Sequence, residues 1–266
     1  MGLPEWVPEG LDITVPSAAR MYDYALGGDH NFEVDRVYAD RAEEAWPGIR
    51  LLAHANRAYL ERVVRHLAAA GVRQFLDIGS GIPTLGNVHE VAQDAAPQSR
   101  VVYVDIDPVA VSHSAAILAG NPRATVIQGD LRRPEEILDH PEVAELLDFS
   151  QPVAVLLIAV LHFVADSDDP RAIIARLVDE LPSDSYVALS HGTLTPELAQ
   201  QQERVRRLYN RTPTPVRLRD AAQLREMLGG LEVVEPGIVP VTDWHPEPEA
   251  DEPDQPAVLG AVARKR

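Results

Sequence analysis

Short apolar runs recur along the chain, and between them lie stretches whose apolar residues return every three or four positions. The first pattern predicts buried strands and the second amphipathic helices. Strands are expected over residues 74–78, 101–104, 124–128, 153–160 and 186–190. The run at 153–160, V-A-V-L-L-I-A-V, is the longest and suits a sheet centre buried on both faces. Helices are expected between the strands: 88–95, closed by Pro97; one opened by Pro108 and ended by Gly120; two proline-initiated turns within 132–148; and one opened by Asp169-Pro170. This alternation requires right-handed crossovers and a parallel sheet with helices on both faces.

The two ends of the chain depart from that rhythm. Residues 1–16 hold three prolines and little periodicity, which predicts an arm lying on the domain. A helix is expected over 17–26, capped by Ser17 and stopped by Gly27-Gly28, and another from Phe32 to about Ala45; spacing alone reads them as a helical hairpin with a glycine turn. A third, over 51–70, carries Leu52, Tyr59, Leu60, Val63, Val64 and Leu67 on one face, with Asn56 and Arg57 early in it. Beyond 190, a polar helix reaches about Asn210, T-P-T-P-V-R-L-R-D reads as a linker, and another helix ends at Gly229-Gly230. Residues 231–234 and 257–262 predict two last strands pairing antiparallel, and the proline-rich acidic segment 245–256 between them predicts a mobile loop. The expected fold is α/β, a doubly wound, mostly parallel seven-stranded sheet over 71–266, preceded by an arm and helices over 1–70.

Composition narrows the partners. A net charge of −17 argues against an extended nucleic-acid partner, whose affinity rests on lysine and arginine neutralising phosphates. The chain has no cysteine, so disulfides, thiolate metal sites and cysteine nucleophiles are excluded, and its nine histidines show no metal-ligand spacing. No apolar run approaches the roughly 20 residues of a membrane span. The N-terminus lacks the basic and then apolar pattern of a secretory signal, so a cytoplasmic protein is expected. Aromatic residues make up 5% of the chain, which gives no hint of a cage for a planar substrate.

The chemistry concentrates where strands end. Q-F-L-D-I runs straight into Gly79-Ser80-Gly81, a turn that lets the backbone take conformations closed to residues with a Cβ and approach a ligand closely. Asp77 brings a carboxylate to the same point. The dinucleotide fingerprint G-x-G-x-x-G is the rival, but its third position is Thr84, and an acid before the turn repels a pyrophosphate and suits a cation instead. The next strand ends in Asp105 and Asp107, either of which can accept hydrogen bonds from ribose hydroxyls or cap a helix; Asp105, first past the apolar run, is the better candidate. The third ends in Gly129-Asp130-Leu131. Three acids on three successive strand ends make a far more specific constellation than any one of them.

The motifs A-R-M-Y-D-Y-A-L-G-G-D-H-N-F-E-V-D-R, A-N-R-A-Y-L-E-R-V-V-R-H-L, Q-F-L-D-I-G-S-G-I-P-T, V-V-Y-V-D-I-D-P, G-D-L-R-R-P and V-L-H-F-V-A-D follow in that order over residues 17–170. The set resembles class I S-adenosylmethionine-dependent methyltransferases, and more narrowly an actinobacterial family long known as a domain of unknown function. The resemblance implies that Asp77, Gly79, Ser80 and Gly81 line the methionine part of S-adenosylmethionine. It implies that Asp105, with Ile106 beside it, binds the ribose, that Asp130 and Leu131 flank the adenine, and that Ala159 to His162 lie near the sulfonium. It also implies that the N-terminal helices form a lid over the cofactor, with Gly28, Asn31 and Arg57 as binding candidates there.

The expected reaction is an in-line attack by an acceptor atom of a small molecule on the cofactor methyl. His162 and His191, which follow the fourth and fifth strands, are the candidate bases if the acceptor must lose a proton. Two other readings are a non-catalytic binder of S-adenosylmethionine or S-adenosylhomocysteine and, disfavoured by Thr84 and Asp77, an NAD-dependent oxidoreductase.

Overall fold

Three helices precede the first strand in the computed structural model, which describes residues 7, 8, 10–84, 86–246 and 257–266. They are α1 (Ala18–Ala25), α2 (Glu33–Ala45) and α3 (Ile49–Ala69). The Ser17 side chain makes no capping bond to α1. Its backbone N–H donates to Asp35 Oδ1 at 2.9 Å, so the start of α1 is fastened to the first turn of α2. The expected loop over 245–256 lies almost wholly outside the described residues.

The sheet domain continues as β1 (Gln74–Ile78), α4 (Val88–Ala95), β2 (Arg100–Asp105), α5 (Pro108–Leu118), β3 (Ala124–Gln128), α6 (Pro134–Leu138), α7 (Pro141–Leu146) and β4 (Ala154–Ile158). After a tight turn at 161–163 come α8 (Pro170–Asp179), β5 (Tyr186–Gly192), α9 (Ala199–Tyr209), α10 (Ala221–Met227), β6 (Glu232–Val233), β7 (Val239–Pro240) and β8 (Val258–Arg264). The strand order is β3-β2-β1-β4-β5-β8-β6, with β7 also on β8. The first five strands are parallel, and β8 runs antiparallel to β5, β6 and β7. The sheet therefore has eight strands where seven were expected. The extra one, β7, is two residues long and pairs with Leu259 and Gly260, too short to leave a period in the sequence.

Alternation along each strand decides what its end presents. Phe75 packs toward α3 with Tyr59, Leu60, Val63 and Val64, while Leu76 and Ile78 pack on the opposite face with Ile173, Ile174 and Leu177. Since side chains repeat every second residue, Asp77 shares the α3 face with Phe75, and Asp105 shares it with Val101 and Tyr103. The third helix thus belongs to the core of the sheet. Its Tyr59 hydroxyl lies 3.0 and 3.1 Å from the carbonyls of Leu189 and Ala261, and a Cβ on Gly260 would fall 2.7 Å from the Tyr59 ring.

The chain winds outward from β1 to β3 and returns to β4, so strand order reverses between β1 and β4. Crevices at such a reversal are where open parallel sheets bind ligands. At the far end of the sheet, Lys265, the sole lysine, donates to the carbonyls of Val178 and Leu181 at 2.9 and 2.6 Å and so satisfies the last turn of α8. Among the described residues, no helix is long and apolar enough to cross a membrane.

Candidate active site

A cavity of about 740 Å³ opens above the strand ends and is covered by α1, α2 and the start of α3. Its floor is the turn after β1. Gly79 and Gly81 hold φ of 76° and 66°, in the left-handed region that penalises a Cβ. The Gly79 and Ser80 amides both donate to the Val104 carbonyl, at 2.7 and 3.2 Å, which pins the turn to β2. A Cβ on Gly79 would sit 2.4 Å from Val160 Cγ2. The Gly81 amide points the other way and donates to Asp105 Oδ2 at 2.7 Å.

The acids are not equivalent. Asp105 Oδ1 also accepts from the Asp107 amide at 2.8 Å, whereas the Asp107 carboxylate caps α5 through Val109 N. Of the two candidates, Asp105 is therefore the one turned toward the glycine turn, and Asp107 is the cap. Burial pushes the Asp77 carboxyl up to about 7, with Asp105 adding to the rise and the Arg57 guanidinium opposing it. Burial likewise lifts Asp105 to about 6, although the amides of Asp107 and Gly81 pull it back. Partial burial pushes Asp130, which lines the cavity, upward, but the Arg132 side chain and amide together with the charges of Arg132 and Arg133 bring it below the usual carboxylate range.

Ala159, directly after β4, has φ of 54° without being glycine. Its amide donates to Ser190 Oγ at 2.9 Å, and Ser190 Oγ–H in turn donates to Asn56 Oδ1. Asn56 Nδ2 donates to the Tyr22 hydroxyl at 2.9 Å, and that hydroxyl donates to the Ala53 carbonyl at 3.0 Å. A directed chain of hydrogen bonds therefore links α1, which covers the cavity, to a strained residue on its floor.

His162 lines the cavity, and burial, with the nearby His191 and Arg219, depresses it to about 3. Its Nδ1 is buried with no hydrogen-bond partner among the described residues. His191 is elsewhere. β5 continues through Gly192, so His191 sits inside the strand opposite Leu259 and is fully buried behind the cavity wall. Its Nδ1 donates to the Gly192 carbonyl at 2.7 Å and its Nε2 accepts from Arg219 at 3.0 Å, which leaves it no lone pair for a substrate. Arg219 also donates to the carbonyls of Leu161 and Val164, and the Arg217 amide donates to the His162 carbonyl at 2.7 Å. The segment read as a linker is in fact the brace of the His162 turn.

The family described as S-adenosyl methyltransferase matches residues 4–266. The chain belongs to that family. This methyltransferase is 45% identical to a DUF574 family protein from Streptomyces avermitilis MA-4680, over 96% of this chain and 100% of that one, with a TM-score of 0.91. It is 40% identical to a provisionally assigned methyltransferase from Thermobifida fusca YX, over 99% of this chain and 100% of the other, with a TM-score of 0.92. Human N-acetylserotonin methyltransferase, solved in complex with SAM, shares 14% identity over 95% of this chain and 63% of its own, at a TM-score of 0.52, a likeness of fold alone. No curated protein matches in sequence. The fold is that of class I methyltransferases, and S-adenosylmethionine is the cofactor.

The residues of the cavity fit that cofactor. Buried carboxylates of raised pKa suit a ligand carrying an ammonium and a sulfonium, and the buried Arg57 Nε and Ser80 Oγ, both without hydrogen-bond partners among the described residues, suit its carboxylate. The dinucleotide alternative fares worse: Thr84, in the place of the third glycine, spends its hydroxyl on Asp23 of α1 at 2.8 Å.

Asp77, Gly79, Ser80, Gly81, Asp105, Ile106, Asp130, Leu131, Ala159, Arg57 and His162 all line the cavity. Gly28, Asn31 and His191 do not. The turn after α1 explains the first two: Asn31 Nδ2 donates to Asp23 Oδ2 at 2.8 Å, and a Cβ on Gly28 would lie 2.0 Å from Asp23 Oδ1. They shape the seat of Asp23, which holds Thr84. The cavity also takes in residues that sequence reasoning passed over, among them Tyr22, Trp46, Phe163 and Tyr209. Tyr22 and Phe163 stood inside quoted motifs; Trp46 and Tyr209 carried no signal, because their convergence depends on α2 packing against α9.

Proposed function

We propose that the chain transfers the methyl group of S-adenosylmethionine to a small molecule held beside His162, in the half of the cavity roofed by α1 and α2 as a lid. The observation that carries this reading is the continuity of the 740 Å³ cavity from the acid-bearing strand ends to an apolar region around Trp46, Phe163 and Tyr209. Pockets of roughly 300–1,000 Å³ accommodate drug-sized ligands. A binder without an acceptor would have no use for the second half. A net charge of −17 supports an acceptor that is neither nucleic acid nor anionic membrane.

In this reading Asp77 and Arg57 hold the amino-acid end of the cofactor, Asp105 the ribose, and Ile106, Asp130 and Leu131 the adenine. The cofactor supplies a methyl on a sulfonium, which is a potent leaving group. Alignment is then the main task of the protein. Ala159, fixed by Ser190, sets the floor at the strand-order reversal, and Val160 packs under Gly79 so that turn and floor move together. His162 lines this half of the cavity, and burial beside His191 and Arg219 depresses it to about 3, which makes it a poor base for the acceptor's proton.

Titration calorimetry of the purified protein with S-adenosylmethionine, S-adenosylhomocysteine and NAD, repeated on Asp105→Ala, tests the reading. Micromolar binding of the first two, lost in the variant, is expected; preference for NAD, or binding indifferent to Asp105, overturns it.

A further inference from the structure

We propose, building on the reading just given, that the acceptor is a planar phenol acidic enough to enter the cavity as its phenolate, and that it lies against the wall formed by His162, Phe163 and Tyr209.

The shape of the acceptor half carries the first part of this proposal. The chain has fourteen aromatic side chains, and four of them, Tyr22, Trp46, Phe163 and Tyr209, line the one cavity. His162 and Phe163 have ring centroids 4.3 Å apart, and Phe163 and Tyr209 follow at 6.1 Å with planes 35° apart. The rings make a continuous aromatic wall. The helices contribute alanines to the same lining, Ala25 from α1, Ala39 and Ala42 from α2, and Ala53 from α3. Small residues in a lining that also holds these rings leave space for a flat body, and aromatic pairs favour offset or edge contacts with such a body.

Charge carries the second part. The strand-end acids of the cavity, Asp77, Asp105, Asp107 and Asp130, stand with the cofactor-binding turns, while the segments that build the aromatic wall, residues 161–164 and 199–218, put no acid on the lining. Behind the wall lies the Arg219 guanidinium, 4% exposed, bonded to the Leu161 and Val164 carbonyls and to His191. Its counter-ion, Asp166, keeps 79% of its side chain in water. The field at this end therefore favours an anion and disfavours an ammonium.

Proton bookkeeping completes the argument. Among the described residues, no group at this end can take a proton from a weak acid: His162 is depressed by its surroundings, and the Nε2 lone pair of His191 is occupied by Arg219. The Tyr209 hydroxyl, which burial raises to about 12, makes no hydrogen bond within the described protein and is free to donate to a phenolate oxygen. The acceptor must lose its proton to water on the way in. Its oxygen pair then forms the new carbon–oxygen bond while the carbon–sulfur bond breaks with its pair remaining on sulfur, so methyl aryl ether and S-adenosylhomocysteine leave and no further proton moves.

The test loads the protein with S-adenosylhomocysteine and titrates it with 4-nitrophenol, phenol, cyclohexanol, benzoate and benzylamine. 4-Nitrophenol is expected to bind at least about tenfold tighter than phenol or cyclohexanol. At a pH below its solution pKa it is expected to show the yellow phenolate absorption once bound. Tyr209→Phe should weaken 4-nitrophenol about tenfold with the affinity for S-adenosylhomocysteine unchanged, and with S-adenosylmethionine the product should be 4-nitroanisole. A bound spectrum of the neutral phenol, or tighter binding of benzylamine, benzoate or cyclohexanol, overturns the proposal. Loss of S-adenosylhomocysteine binding itself would instead overturn the function proposed above, so the two failures are distinguishable.

Discussion

Arg20 on α1 and Asp107 at the head of α5 approach within 3.6 Å, Nη1 to Oδ2, with both side chains buried. Arg20 also binds Asp35 Oδ2 at 2.9 Å and the Val15 carbonyl at 2.6 Å, and it lies over the Phe32 ring. One guanidinium thus ties α1 and α2 to the residue whose amide holds Asp105. Arg20→Ala leaves two buried carboxylates without their cation. Loss of about 3–5 kcal/mol in chemical denaturation is expected, together with weaker binding of S-adenosylhomocysteine by calorimetry. Unchanged affinity in a folded variant would show that the cover and the ribose end are independent.

Asp77 predicts a pH dependence of definite sign. Its native pKa, about 7, lies well above the ordinary carboxylate value of an unfolded chain, so the native state holds the proton to higher pH than the unfolded one. The stability this contributes is complete below the unfolded value and is lost as pH rises through about 7. A ligand ammonium prefers the ionised carboxylate and restores the loss. The melting-temperature gain given by S-adenosylhomocysteine should therefore grow between pH 6 and 8, and that growth should vanish in Asp77→Asn.

These acids were legible because alternation is strict. An apolar strand that ends in an acid declares both its face and its edge, and β1 and β2 do so in the sequence. His191 defeated the same reasoning because β5 runs on through His191-Gly192, and pairing with Leu259 and Val258 of β8, far along the chain, is what extends it. Gly28 and Asn31 were legible as special but not as what they are, since Asp23, the partner that needs them, shows no pattern of its own. Arg20 was mute for a simpler reason: most helical arginines are solvated, and only the fold puts Asp35 and Asp107 around this one. Composition misled most, because a low aromatic count says nothing of where the few rings gather.

Gly79→Ala should abolish cofactor binding, by strain at a φ of 76° and by a 2.4 Å clash with Val160. Val160→Ala in the same chain removes the 2.4 Å contact with Cγ2 but keeps the Val160 Cβ at 2.7 Å, so the clash is relieved in part and the backbone strain stays. Partial recovery of stability is expected, with the double variant still roughly 1–2 kcal/mol short of wild type. Full recovery would mean that the turn tolerates a Cβ.

Ala159→Gly should leave stability unchanged or raise it by up to about 1 kcal/mol, because glycine adopts φ near 54° without strain. Ser190→Ala should do the opposite. It removes the better of the two acceptors of the Ala159 amide, leaving the Ser190 carbonyl at 3.3 Å, and strands Asn56 Oδ1. A cost of about 1–3 kcal/mol is expected in denaturant melts, and equal stability of the two variants would count against the hydrogen-bond chain.

Lys265 gives the chain an unusual handle. With one ε-amine in 266 residues, and that amine seated in the carbonyls of Val178 and Leu181, acylating reagents meet a single side-chain target that is already engaged. A mass increment beyond the α-amino label therefore counts, molecule by molecule, how often the C-terminal strand peels away from α8. The protein carries its own one-site reporter of fraying at the antiparallel edge, and no cysteine competes for the label.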